Sequence, residues 1–313
     1  GIGLDVGFWN NRINASFNYY NNITRQLLTN YDLAPSTGFE SQVINAGELQ
    51  NQGFDASLNV IAYQNIQKGM NWTINVNANH NKNKIRKISD YLRKMNEEAL
   101  KSDKAPLPVY QEGQSTTTYY AVRSLGIDPI TGREVFLTRD GKRTFTWDAV
   151  DKVPIGDTNP DVSGTISSNF TWNDFSVGLG FSYKWGGIVY NQTLVDKIEN
   201  SNIAYNLDKR ANTSRWHKPG DVVHFKKFDV NGSETPASTR FIMKDNELKL
   251  ATLNVGYRFN EEKFNYLRRL GINVLSLNFT TNDLFRISPI RMERGLEYPF
   301  ARSYTLSMSI IFK

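Results

Sequence analysis

At 313 residues the chain is long for one ordinary soluble domain, and its 39% hydrophobic content lies below the roughly 45–50% of a typical globular protein. The absence of cysteine excludes a disulfide framework, a thiolate nucleophile and a Cys-ligated metal, and the formal charge of +6 is scattered rather than gathered into the basic stripe that nucleic-acid binding needs. No run approaches the ~18 uninterrupted apolar residues of a transmembrane helix. The opening "GIGLDVGFWNNR" lacks the basic start and apolar core of a signal peptide, so either a leader was removed or Gly1 is not the true beginning.

In chain order, the dominant signal is alternation with period two, the mark of a strand with unlike faces. Ile2, Leu4, Val6 and Phe8 alternate, "NNR" turns the chain, and Ile13, Ala15, Phe17 and Tyr19 resume. Phe54, Ala56, Leu58 and Val60 follow, then a turn-like stretch to Gly69, then Trp72, Ile74, Val76 and Ala78 opposite Thr73, Asn75, Asn77 and Asn79. Ile166, Phe170 and Trp172 lead to a two-residue turn, Asn173 and Asp174, and to the clearest strand, "FSVGLGFSYKW". There Phe175, Val177, Leu179, Phe181, Tyr183 and Trp185 share one face, while Ser176, Gly178, Gly180, Ser182 and Lys184 share the other. Leu253, Val255, Tyr257 and Phe259 alternate, as do Leu275, Leu277 and Phe279, and finally Tyr304, Leu306, Met308, Ile310 and Phe312.

These make about nine strands, most near the length a tilted membrane strand requires. The connections alternate in length. Short ones fall at residues 10–12, 64–69, 173–174 and 260–270, and long ones at residues 29–42, 89–158, 187–247 and 288–301. In an up-and-down meander alternate connections lie at the same end, so this pattern sorts the loops by end. Outer-membrane barrels show that asymmetry, with short periplasmic turns and long extracellular loops. Phe175 at the turn end and Tyr183 and Trp185 at the loop end suit two aromatic girdles around an apolar band about 25 Å tall. Phe175 to Trp185 are accordingly read as lipid-facing at odd positions and lumen-facing at even ones. Because single-chain bacterial barrels close with an even strand number, an odd count predicts a piece of a larger barrel.

Eight stretches, in order and over nearly the whole chain, resemble the SusC/RagA family of TonB-dependent outer-membrane transporters from Bacteroidetes. They are "YYNNITRQLL" (19–28), "STGFESQVINAGELQNQGFDASLNV" (36–60), "GIDPITGREVFLTRDGK" (126–142), "IGDTNPDVSGTISSNFTWNDFSVGLGFSYKWGGIVYN" (155–191), "SRWHKPGD" (214–221), "LKLATLNVGYRF" (248–259), "NDLF" (282–285) and "EYPFARSYTLSMSIIF" (297–312). Two departures stand out: Phe312, the expected terminal aromatic, is followed by Lys313, and "ERGL" precedes "EYP" where an Asp-Pro type of sequence is expected.

The resemblance implies an all-β, antiparallel up-and-down transmembrane β-barrel of about 22 strands. Residues 1–313 would supply its last nine or so, with the plug domain and TonB box lying N-terminal to them. It further implies energised import of an oligomeric nutrient, glycan or oligopeptide, without catalysis. The implied partners are a SusD-like surface lipoprotein over the long loops and TonB–ExbB–ExbD at the plug, often in a dimer of transporter–lipoprotein pairs. Tyr304, Leu306, Met308, Ile310 and Phe312 would form the barrel-assembly signal.

Catalytic and metal chemistry finds little footing. His80, His217 and His224 lack ligand spacing, "DPITG" and "TRDGK" read as tight turns without calcium, and "SGTIS" is no nucleophile elbow. In residues 82–104 the positions Ile85, Ile88, Leu92 and Met95 follow helical spacing, predicting a strand end and then a short amphipathic helix in a loop. Substrate contacts are expected from loop aromatics and cations, with Tyr119, Tyr120, Arg123, Tyr205 and Trp216 as candidates; packing within the loops is the plainer role for each. A passive porin or adhesin barrel and a soluble secreted carbohydrate-binding β-protein are the alternatives of other classes.

Overall fold

The computed structural model describes residues 1–32, 38, 41–45, 47–101, 103, 106, 109–202, 207–228, 234–291 and 302–313. One antiparallel sheet of nine strands dominates it. The strands are β1 (Ile2–Phe8), β2 (Ile13–Thr24), β3 (Gly47–Asn65), β4 (Met70–Ile88), β5 (Val162–Trp172), β6 (Phe175–Trp185), β7 (Glu247–Asn260), β8 (Ile272–Ile287) and β9 (Tyr304–Phe312). Each pairs with the next in sequence, an up-and-down meander with β1 and β9 at its edges. Residues 9–12, 66–69, 173–174 and 261–271 connect strands at one end, and 25–46, 89–161, 186–246 and 288–303 connect them at the other. The loop sorting read from sequence is therefore present in the fold.

Register carries the two faces across the whole sheet. Residues directly opposite in antiparallel strands share a face, and Val6, Ala15, Leu58, Val76, Ile166, Phe181, Leu250 and Phe285 form one unbroken row through eight strands. A second row runs Trp72, Phe170, Val177, Val255, Phe279 and Leu306. One residue over, the opposite face reads Asp5, Ser16, Ser57, Asn77, Thr165, Ser182, Lys249 and Arg286. A slip of one residue anywhere would exchange these sets.

Burial is inverted relative to a water-soluble sandwich. Large apolar side chains of the sheet stand open, including Ile2 at 76% exposure, Leu306 at 71% and Met308 at 64%. Most of the fully buried apolar residues, among them Val122, Ile198, Ala211 and Phe241, belong to the long connections, and Leu267 to a short one. A contiguous apolar face spanning nine strands far exceeds the few hundred Å² a soluble monomer exposes. Ser168 interrupts that face, and its hydroxyl accepts the Trp72 indole N–H at 2.9 Å, so the indole polar atom is satisfied without water.

Close backbone approach is built in twice. The Tyr183 ring lies over Gly164 and its hydroxyl donates to the Asn77 carbonyl at 2.9 Å, where a Cβ on Gly164 would come within 2.8 Å of that hydroxyl. On the other face Tyr20 covers Gly53 and donates to Asn81 Oδ1 at 3.2 Å. The hairpin between β5 and β6 turns on Asn173 at φ 51°, a left-handed conformation that Asn tolerates. Asp174 beside it is held by the Lys263 ammonium and by Asn260 Nδ2 at 2.6 Å, and the Lys263 hydrogen bond leads the causes that lower its pKa.

The expected strand end and short helix are both present: β4 runs to Ile88 and the helix, α1, spans Asp90–Lys101, so Ile85 and Ile88 of the helical stripe fall on the strand. Strand pairing overrides the helical spacing because β4 continues against β3 as far as Ile88, and Ser89 then caps α1 by accepting from Leu92 N at 3.3 Å.

The middle of the apolar row separates the two faces experimentally. Leu179→Arg is expected to cost about 2–4 kcal/mol of folding into lipid vesicles, and Ser167→Arg on the opposite face about 1 kcal/mol or less. Denaturant titration of each variant checks this; equal losses would contradict the two-faced sheet.

Candidate functional site: the polar wall and the loop module

The polar face of the sheet is a wall of neutral donors and acceptors. Ser16 and Ser57 share a hydrogen bond at 2.7 Å, Asn77 Nδ2 donates to Thr165 Oγ1 at 3.2 Å, and Thr280 donates to Asn254 Oδ1 at 2.9 Å. A hollow of about 310 Å³ opens on this face among Asn18, Asp55, Ser57, Asn77, Asn79 and Ser163. Toward the loop end three ion pairs form: Lys184 with Asp245, Lys249 with Asp283 and Arg286 with Glu247, each at 2.5 Å. Such a surface can exchange hydrogen bonds with hydroxyls or amides in any register, which suits a chain-like polar ligand better than one reacting atom.

Above the wall the two longest connections pack into a module with its own core. The strands Lys152–Asp157, Thr118–Ile127, Glu134–Leu137 and Arg143–Thr144 form a sheet of four. The later connection contributes Tyr190, Leu194, Val195, Ile198, Ala211, Phe225, Ala237 and Phe241, clustered in contact. The connections are tied together by backbone and side chain. Trp147 Nε1 donates to the Ala237 carbonyl at 2.9 Å, Ser124 N donates to Thr239 Oγ1 at 2.9 Å, and Trp216 Nε1 donates to the Pro129 carbonyl at 2.8 Å.

Two buried arginines hold the module. Arg240 Nη2 donates to Glu134 Oε2 at 2.8 Å and Glu199 Oε1 at 2.5 Å, and all three side chains are at most 5% exposed. Ser238 adds a hydroxyl bond to Glu134 Oε1 at 2.5 Å. Burial alone would lower the pKa of Arg240, but the Glu134 and Glu199 carboxylates reverse this and the net shift is upward. Arg215 satisfies itself on backbone carbonyls: Ala211 at 2.7 Å, Lys226 at 2.8 Å, and Ile198 and Glu199 at 2.6 and 2.8 Å. Its guanidinium lies 4.0 Å from the Phe228 ring centroid. Burial lowers the pKa of Arg215, and Glu199 opposes the shift.

Four of the five substrate candidates fall in this module and are held by it. Tyr120 is 3% exposed and donates to Gln111 Oε1 at 2.9 Å. Tyr119, on the alternate side of the same strand, is half-buried against the cluster. Arg123 donates to the Thr138 carbonyl at 3.2 Å while its buried Nε makes no hydrogen bond. Trp216 lies over Gly132, where a Cβ would come 2.5 Å from the indole. Tyr205 lies outside the described residues. The turn at Asp128 has the expected form: its carboxylate accepts from Thr131 Oγ1 at 2.6 Å and N at 3.0 Å, and the hydroxyl bond chiefly lowers its pKa. Sequence reasoning missed Glu134, Glu199 and Arg240, because acid and base lie 106 and 41 residues apart and no local pattern marks them.

With this geometry in hand, relatives can be weighed. No protein-family model matches the chain. TonB-dependent receptor P3 of Formosa agariphila is 26% identical over 305 residues, covering 90% of this chain and 29% of that protein. TonB-dependent receptor SusC of Bacteroides thetaiotaomicron is 24% identical over 329 residues, covering 99% of this chain and 31% of that protein. Among solved structures, the RagAB peptide transporter superposes with a TM-score of 0.78 at 22% identity, over 98% of this chain and 34% of its own. The chain is thus similar over nearly its whole length to SusC/RagA-like TonB-dependent receptors. It spans about a third of the length of the curated relatives it matches. Its nine-stranded sheet has the fold of an outer-membrane TonB-dependent barrel wall.

The ion network of the module gives a sharp test. Arg240→Met leaves Glu134 and Glu199 buried without a cation and is expected to cost the module about 3–5 kcal/mol. Limited proteolysis should then nick residues 89–161 and 186–246 while the barrel keeps its folded mobility on unheated gels. Replacing Glu134 and Glu199 by Leu as well should restore most of the resistance.

Proposed function

We propose that the chain forms the last nine strands of a barrel of about 22 in a SusC-like transporter, which imports an oligomeric nutrient, glycan or oligopeptide, across the outer membrane. The observation that carries the reading is the two-faced wall: apolar rows on one side, neutral amides and hydroxyls on the other, with a packed module at the long-loop end. In this reading Phe175, Val177, Leu179, Phe181, Tyr183 and Trp185 lie against lipid, and the polar rows line the lumen. Tyr304, Leu306, Met308, Ile310 and Phe312 of β9 serve as the barrel-assembly signal.

The long-loop module is the surface on which a SusD-like lipoprotein would close, and TonB–ExbB–ExbD would act through a plug N-terminal to these strands. A dimer of transporter–lipoprotein pairs is the assembly we expect. Tyr119, Tyr120, Arg123 and Trp216 shape the mouth, with substrate contact made by whichever faces the module leaves open, and Tyr205, outside the described residues, is a further candidate for that contact. The relative named RagAB carries peptide and SusC names a different member, so both ligand classes stay within the proposal.

Uptake in whole cells tests it. Labelled oligosaccharides and oligopeptides are offered to cells carrying the intact gene, with and without TonB. Energised import predicts that uptake of one class falls to background when TonB is removed. Uptake that survives identifies a passive pore and ends the transporter reading.

A further inference from the structure

On β4 the apolar row Trp72, Ile74, Val76 and Ala78 passes through His80 and continues, without a bulge in this strand, into Lys82 and Lys84. These two lysines therefore share the face of the apolar band. Both are exposed, and among the described residues neither forms a salt bridge. Amides stand directly opposite them on the same face, Gln52 opposite Lys82 and Gln50 opposite Lys84; Gln50 Nε2 donates to Asn21 Oδ1 at 2.8 Å, and Glu48 lies two positions beyond Gln50.

Height decides what meets them. From Trp72 to His80 the strand rises about 27 Å along its axis, or about 20 Å along the membrane normal at a tilt near 40°. That nearly fills an apolar band about 25 Å tall, so the next two outward positions fall in the headgroup layer at the long-loop end. Two like charges about 7 Å apart on one strand face repel each other, and a shared anion relieves the repulsion. Lysine stems can lie along apolar surface while the ammonium groups reach into the polar layer.

We propose that Lys82 and Lys84, flanked by Gln50 and Gln52, bind the phosphate of a lipid headgroup in the leaflet at the long-loop end. The site commits to membrane lipid, because the two lysines continue the apolar band and have neutral amides directly opposite them. The inference rests on the apolar face lying against lipid and is independent of what the barrel transports.

The test uses the full-length protein in nanodiscs doped with lipid A carrying both phosphates, or with its dephosphorylated form. Bound glycolipid is counted by native mass spectrometry. At about fivefold per cation near a charged surface, the K82Q/K84Q variant should bind the phosphorylated lipid about twenty-five-fold more weakly. K82R/K84R should bind as the parent does, and raised salt should weaken the parent. Equal binding of the dephosphorylated lipid by the parent protein would overturn the site, as would undiminished binding by K82Q/K84Q. Displacement of the lipid by inorganic phosphate at matched concentration would do the same. The comparison of the two lipids on the parent protein decides the matter even if the double Gln variant does not fold.

Discussion

A peptide group in hydrocarbon finds no water, so a strand in a membrane must take its hydrogen-bond partners from its neighbours. In this chain that requirement is met by nine strands paired in sequence order, and almost everything else follows from how they register. The pairing fixes which residues stand side by side, and side-by-side residues share a face. Eight consecutive strands thereby place Val6 through Phe285 in one apolar row and Asp5 through Arg286 in the row behind it. The small residues belong to the same constraint: Gly53 and Gly164 let a tyrosine lie flat on the backbone, where any side chain would push the ring away.

The loop module obeys the opposite rule, because it is surrounded by water. It buries Ile198, Ala211 and Phe241 and hides a pair of glutamates around one arginine. Buried ion pairs contribute little net stability, since desolvation offsets attraction, but each partner makes the others indispensable. Arg240 joins the strand Glu134–Leu137 to the helical turn that holds Glu199, so the two connections are locked in one arrangement. A mouth fixed in this way presents a defined surface in place of two separate long loops.

Much of the wall was legible from sequence. Period two, the turn at Asn173 and the alternation of short and long connections each report a local or chain-order property. The strand Phe175–Trp185 and its two-residue hairpin emerge with the predicted bounds. The stripe at Ile85 and Ile88 left the strand–helix boundary open because helical and strand periods overlap over a few positions, and the partner that decides between them, β3, lies elsewhere in the chain. The module was illegible for a stronger reason. Its ion pairs join residues tens of positions apart, and its aromatic residues, such as Tyr120 and Trp216, look the same in sequence whether they await a ligand or pack on Gln111 and Gly132.

The order of strands also governs how such a wall can be assembled. Every neighbour in the sheet is the next strand in the chain, so each new strand can zip onto an edge already formed, and the long connections add loop-closure entropy only slowly with their length. The module has no such path. Glu134 must wait for Arg240, 106 residues later, and between them β5 and β6 have to be laid into the wall. The ion network can close only once β6 is in place and the connection beyond it has come through on the same side, so the mouth takes its shape after the strands that it joins.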